Sequence, residues 1–238
     1  MARRQARFTA QDLADDPRLR DHSPDLWREQ LGDVQRRLLT SAVRCFAANG
    51  YHATTTRDIA EGVGLSPAAL YVHFPSKELV LNEIIRVGHE RALACVQEPS
   101  ILAVEDSADR LRAIIAAYTA WHARHHVVAR VCQMELAGLT AEHYDEVLEL
   151  RHRTNEFFRD AVVRGVADGS FARVDVKRVT RAMLSLSIDL VRWYRLDGDD
   201  SPEQLGEFYA DLALRLVSPD RFALGGEGGA GAGPAARG

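Results

Sequence analysis

Lysine is nearly missing from this chain. Of its 30 basic residues only Lys77 and Lys177 are lysines, and the rest are arginines. With many alanines, that bias points to a GC-rich bacterial genome and says nothing about chemistry. No uncharged apolar run approaches the ~18 residues that a membrane helix needs, so no membrane partner is expected. The N-terminal charges have no apolar stretch behind them, so no secretory signal is expected either. Cysteine is scarce. Cys45, Cys95 and Cys132 are odd in number and widely spaced, match no metal knuckle, and read as free thiols in a reducing cytoplasm. No segment reads as a strand. There is no nucleophile motif, no glycine-rich phosphate loop and no His/Glu metal signature, so no enzyme and no cofactor is expected.

What is present is material for an all-α protein of one or two domains, with 238 residues, 46% of them hydrophobic and 27% charged. The net charge of −4 is unevenly spread. Between Val34 and Glu78, Arg36, Arg37, Arg44, Arg57 and Lys77 outnumber Asp58, Glu61 and Glu78. Any phosphate-facing surface should therefore be N-terminal. Residues 1–32 read as a flexible extension with turn signals at Thr9–Asp12 and Ser23-Pro24. Residues 218–238 read as a disordered Gly/Ala tail.

Helical periodicity starts after Gly32, with Asp33 a candidate cap, and runs to Asn49-Gly50. Thr55-Thr56-Arg57-Asp58 suits a capping box that opens a short helix. Gly62 and Gly64 permit a tight turn, and Ser66 caps a second short helix with Pro67 in its first position. Two short helices joined by a glycine-bearing turn, after a longer helix, make a helix-turn-helix over 33–78. The region 79–217 reads as a helical bundle. Ser76-Lys77-Glu78 opens a long helix to about Gln97, and a linker reaches Ser107. Helices follow over about 107–123, 126–138, 141–168, 175–196 and 201–217.

The residues Gly50-Tyr51-His52, Thr55-Thr56-Arg57-Asp58-Ile59-Ala60, Gly64-Leu65-Ser66 and Leu70-Tyr71-Val72-His73-Phe74-Pro75-Ser76-Lys77 resemble the DNA-binding domain of TetR-type regulators. Val63 departs from that pattern, where alanine is usual. The resemblance implies double-stranded DNA as partner, with an N-terminal helix-turn-helix domain and a ligand-binding, dimerising helical bundle behind it. The small residues Ser66, Pro67, Ala68 and Ala69 suit close approach to base edges in the major groove. Thr55, Thr56, Arg57, Tyr71, His73 and Lys77 suit phosphate oxygens, Lys77 lying also at a helix N-terminus. Arg3, Arg4 and Arg7 read as a solvated tail, the alternative being a minor-groove arm.

For the C-terminal half the resemblance implies a pocket, a dimer interface and regulation by a small hydrophobic effector. Pocket candidates are Tyr118, Trp121, His122, Arg130, Gln133, Met134, Phe157, Phe158, Met183, Ser187 and Trp193. Any one of them is as readily read as core packing. Dimer candidates are Ser185, Ile188, Asp189, Arg192, Phe208, Leu212 and Arg215. The stretch Arg192-Trp193-Tyr194-Arg195, with Asp197-Gly198 and Ser201-Pro202-Glu203, is similar to actinobacterial regulators of lipid and steroid catabolism. That similarity suggests an acyl-CoA thioester whose phosphates meet Arg124, Arg130 or Arg151. Two alternatives stand beside a homodimeric repressor released from a palindromic operator. One is a constitutive DNA-binding regulator without effector, and the other a metal-responsive regulator using His122 and His126, which share a helix face. Cys132 as a redox sensor is a weaker reading than packing.

Overall fold

The computed structural model describes Phe8, Asp12, Leu13, residues 16–27 and residues 31–218. Arg3, Arg4, Arg7, Thr9 and the Gly/Ala tail beyond Ser218 lie outside the described residues. The ordered elements are all helical, with no strand among the described residues, and no described helix is long and apolar enough to cross a membrane.

Helix α1 (Asp33–Asn49) starts one residue earlier than expected, because Gly32 rather than Asp33 takes the cap and Gln35 Oε1 accepts from its N–H at 3.0 Å. It stops at Gly50, whose φ of 80° ends the helix while its N–H still bonds Phe46 O. Helix α2 (Thr56–Glu61) and α3 (Pro67–His73) follow, then the long α4 (Lys77–Val96). Pro99 does not merely stop a helix. It occupies the first turn of a short one, α5 (Pro99–Leu102), where a linker was expected.

Helix α6 (Ser107–Arg124) is capped by Asp106, which accepts from Ala108 and Asp109 N–H at 2.9 Å. Helix α7 (His126–Met134) is shorter than expected and passes into a tighter turn at Leu136–Gly138. Helix α8 (Ala141–Ala167) is the longest described element. Helix α9 (Val176–Asp189) ends well before residue 196. A tight turn at Leu190–Arg192 bends the chain so that Leu190, Val191 and Tyr194 all reach the core. Helix α10 (Pro202–Val217) opens on a capping box in which Ser201 and Gln204 bond reciprocally.

Helix α10 packs along α6 so closely that a Cβ on Gly206 would sit 2.6 Å from the Ala116 carbonyl oxygen. Around this pair, α4, α7, α8 and α9 enclose a core built from Ile84, Ile85, Leu111, Ile114, Phe158 and Val162, among others.

The N-terminal segment corrects the reading of a flexible extension. Leu13, Leu19, Leu26 and Trp27 are buried in the core. Trp27 Nε1 donates to Thr40 Oγ1 on α1 at 2.8 Å, and His22 N–H donates to Arg124 O at the end of α6 at 3.0 Å. Asp21 Oδ2 accepts from the N–H groups of Val127 and Val128 at 3.0 and 3.3 Å, capping α7 from over a hundred residues away. Its apolar residues carry no helical period, so nothing local in the sequence announces the burial.

Candidate DNA-contacting face and effector pocket

The helix-turn-helix is assembled by short-range bonds. Thr55 Oγ1 accepts from Asp58 N–H at 3.3 Å, while Asp58 Oδ2 accepts from the Thr55 N–H and hydroxyl at 2.6 Å. Gly64 adopts φ 72° in the turn, and Leu65 N–H returns to Ala60 O at 2.9 Å. Ser66 Oγ accepts from Ala69 N–H at 3.3 Å and caps α3. Ile59, Ala60, Leu70 and Phe74 are buried beneath. Arg37 Nη2 donates to Val63 O at 2.8 Å, tying α1 to the turn.

The other side of α3 is open. Ser66, Pro67 and Ala68 are exposed at its N-terminus, Ala69 is half-buried, and Tyr71 is 52% exposed. Thr56 Oγ1 lies 3.3 Å from Tyr71 Oη, so α2 and α3 present these two hydroxyls as one patch. Arg57 is exposed and ion-paired with Glu61 at 2.6 Å. His73 is half-buried at the last position of α3.

Lys77 sits differently from the reading as a phosphate contact. Its Nζ donates to the carbonyls of Tyr51 and Thr54, both at 2.7 Å, and lies 4.1 Å from the centre of the Tyr51 ring. It pins the α1–α2 loop to the start of α4. Two carboxylates complete that junction. Glu135 Oε2 accepts from Tyr51 N–H at 3.0 Å, and Glu78 Oε1 accepts from Thr140 N–H at 3.1 Å. Glu78 also faces His143 Nδ1 at 2.7 Å, and this bond raises the His143 pKa above its ordinary value. Sequence reasoning missed Tyr51, Glu78, Glu135 and His143 as a connected group, because their partners are 62 to 84 residues apart.

A second region is a cavity of about 1140 Å³ between α4, α6, α7, α8 and α9. Tyr118, Gln133 and Met134 line it as expected, and so does Arg151, whose Nη1 donates to Gln133 Oε1 at 3.2 Å. Ser185, Ile188, Asp189 and Arg192, expected at a dimer interface, line it as well. Lys177 and Arg181 lie exposed at its rim. Sequence reasoning missed His89, Leu148, Leu184 and Arg159, which face it from three helices with no shared motif.

The other pocket candidates do not line this cavity. Phe158 and Met183 are core, and Phe157 packs half-buried against it. Ser187 is buried and shares a 3.1 Å bond with Thr119. Trp193 is 53% exposed past the end of α9. Trp121 packs on the His122 and His125 rings. Arg130 lies towards the N-terminal segment, where burial, with the neighbouring Arg18 charge, depresses its pKa. Arg124 pairs with Glu203 on the surface. Of the three arginines expected to meet phosphates, only Arg151 reaches the cavity. Phe208 and Arg215 are exposed on α10 and Leu212 is half-buried.

His122 and His126 turn Nδ1 to the backbone carbonyls of Tyr118 and Ala123, at 2.8 and 3.1 Å. Burial pushes His122 down to about 4 and lowers His126. No metal-holding group of three or more His, Cys, Asp or Glu occurs among the described residues. Burial pushes the Cys132 thiol up to about 12, far from a reactive thiolate.

Residues 38–84 match the family described as bacterial regulatory proteins, tetR family, and residues 104–217 match the tetracyclin repressor-like C-terminal domain. The chain is 32% identical over 185 residues to the HTH-type transcriptional repressor KstR2 of Rhodococcus jostii RHA1, spanning 76% of this chain and 90% of that protein. A TetR-family regulatory protein from Rhodococcus RHA1 superposes with a TM-score of 0.73 at 34% identity, covering 79% of this chain and 98% of the other. The ketosteroid transcriptional regulator KstR2 of Mycobacterium tuberculosis superposes with the same score at 27% identity, covering 79% and 97%. These relatives are transcriptional regulators, not enzymes. The chain belongs to the TetR family of bacterial transcriptional regulators.

Proposed function

We propose that this protein is a homodimeric repressor whose hold on a palindromic operator is released by a large amphipathic anion, an acyl-CoA thioester being the leading class. The observation that carries the reading is the 1140 Å³ cavity. Tyr118, Leu148, Leu184 and Ile188 supply apolar wall, while Arg151, Lys177 and Arg181 supply positive charge, Arg192 being paired with Asp189 of the same wall at 2.9 Å. Such a lining suits an acyl chain within and phosphates at the mouth. A space of this size also weighs against a constitutive regulator with a filled core. The 32% identity to a repressor named KstR2 supports repression as the sign of control.

In this reading Ser66, Pro67, Ala68 and Ala69 approach base edges, and Thr55, Thr56, Arg57, Tyr71 and His73 contact the phosphate backbone. The exposed Leu186 on α9, Trp193 just beyond that helix and Phe208 on α10 offer apolar outer surface suited to a second copy. Helix α4 runs from Lys77, beneath the DNA-binding helices, to His89 in the cavity wall, so occupancy of the cavity is felt where the recognition helix is anchored. The bonds from Glu135 and Glu78 offer a second link between the same two places. The effector acts only through differential affinity for the two arrangements, since a ligand that binds both equally shifts nothing.

The test is fluorescence anisotropy of the protein on the intergenic DNA upstream of its own gene, at fixed salt, with a panel of acyl-CoA thioesters and their free acids. Tight binding released by one thioester but not by its free acid is the expected result. Tight binding that no thioester disturbs removes this effector class, and absence of specific binding removes that DNA as the operator.

A further inference from the structure

Helix α3 carries an apolar side chain that neither the core nor the contacts proposed above make use of. Val72 is 80% exposed, the most exposed large hydrophobic side chain among the described residues. It lies one turn beyond the exposed Ala68, so the two share a face of the helix. Leu70 and Phe74 take the core-facing side of the same segment, which leaves Val72 turned away from the protein. A single exposed apolar residue needs no explanation. Here Pro67, Ala68 and Val72 follow one another along the open side of one seven-residue helix.

The residue types on α3 limit what such a face reads. In the major groove guanine is bonded by Arg or Lys, adenine by Asn or Gln, and cytosine by Asp or Glu, while thymine presents a C5 methyl group to apolar contact. Between Ser66 and His73 none of those six residue types occurs. The polar groups that do occur are engaged or set back. Ser66 Oγ accepts from Ala69 N–H at 3.3 Å, Tyr71 Oη lies 3.3 Å from Thr56 Oγ1, and His73 is half-buried in the last position. Arg57, on the neighbouring α2, is paired with Glu61. The outward surface of α3 is therefore mostly methyl and methylene, the complement of a thymine methyl group. Positions 68 and 72 are separated by about 6 Å along the helix axis, close to two base-pair steps of about 3.4 Å.

We infer that Val72, with Ala68, is a specificity-determining residue that reads thymine methyl groups in the major groove of the operator. The inference rests on α3 being the helix that enters the DNA, and it adds the chemistry of the readout. Each operator half-site carries a thymine whose C5 methyl group packs on the Val72 side chain. That contact draws its free energy from burying apolar surface, so removing the methyl group abolishes it while every hydrogen-bonding group of the base pair stays in place.

The experiment selects duplexes bound by the full-length protein from a random pool, then remakes the selected duplex with uracil replacing one thymine at a time in both half-sites. Uracil lacks only the C5 methyl group. The expected result, read by fluorescence anisotropy at fixed salt, is a loss of about fourfold per half-site at one or two thymines. In Val72→Ala the all-thymine duplex binds more weakly, and the uracil penalty at one of those positions falls to near one, the non-additivity that marks a direct contact. Val72→Thr, which keeps one of the two methyl groups, lies between. Both variants melt with the parent, because the side chain is exposed. Insensitivity of every thymine to uracil, or an undiminished penalty in Val72→Ala, overturns the inference and leaves α3 as the DNA-contacting helix. Failure to select any sequence, or undiminished binding of the selected duplex by Ala68→Glu, overturns both.

Discussion

The two candidate functional regions are held together in different ways. The proposed DNA-contacting face is stitched by bonds between residues a few positions apart. Examples are the reciprocal pair at Thr55 and Asp58, the turn at Gly64 and the Ser66 cap. The cavity is bounded by five helices whose lining residues run from His89 to Arg192. In the first, one side chain can be changed with a local effect. In the second, the shape depends on how helices pack, so a change far from the wall alters it. The junction between them mixes both kinds, with Lys77 binding nearby loop carbonyls while Glu78 and Glu135 reach across the chain.

That contrast sets the expected outcomes. The largest is at the proposed DNA face, where Ala68→Glu places a carboxylate on the exposed N-terminal turn of α3. Operator affinity should fall about 100-fold, as expected for losing one or two base contacts worth about 1–3 kcal/mol each. The melting temperature should stay within a degree or two of the parent. A matching loss of stability would show that this face is less self-contained than its bonding suggests.

Next is the packing of the bundle. Gly206→Ala puts a methyl group 2.6 Å from the Ala116 carbonyl oxygen, so α6 and α10 must separate. Overpacking of this kind costs about 1–3 kcal/mol, read by chemical denaturation. An unchanged stability would mean that the helix pair yields freely.

At the junction, Lys77→Met removes two bonds to the carbonyls of Tyr51 and Thr54, for a stability loss of about 1–3 kcal/mol. The salt dependence of DNA binding separates this role from phosphate contact. A contacting lysine carries a slope of about 0.9 in log affinity against log salt, and here the slope should not change. A reduced slope would return Lys77 to the DNA face.

Asp21→Ala removes the distant cap from α7 and should cost about 1 kcal/mol, with Asp21→Asn retaining part of it. Loss of no stability would make the N-terminal segment a bystander.

The smallest effect is a pH dependence. The hydrogen bond to Glu78 raises the His143 pKa in the folded protein. Its contribution is therefore complete below the unfolded value of about 6.5 and is lost as pH rises through the higher folded value. Denaturation at pH 5.5 and 8.5 should show this difference in the parent and not in His143→Gln.

The residues that were legible in the sequence share a property. Thr55, Gly64, Ser66 and Pro67 act on backbone within four positions, so their types and spacing state their role. The helix boundaries marked by Gly50, Ser76 and Ser201 are readable for the same reason. Pro99 misled because proline both stops one helix and starts another. Ser187 and Phe158 were pocket candidates because the family resemblance implies a pocket between their helices, and each lies on such a helix. Which side of that helix meets a void is settled by neighbours, and here the neighbours are Thr119 and the core.

By itself, then, the sequence determined the helical class, the helix-turn-helix and the small-residue edge of α3, because these rest on local backbone chemistry. Only the tertiary structure decided that Lys77 is anchored to a loop, that Asp21 caps α7, and that Leu19, Leu26 and Trp27 belong to the core. It alone showed that His89 lines a cavity with residues from four other helices. Each of these depends on groups brought together by packing from distant parts of the chain, and no spacing along a sequence encodes which distant group will arrive.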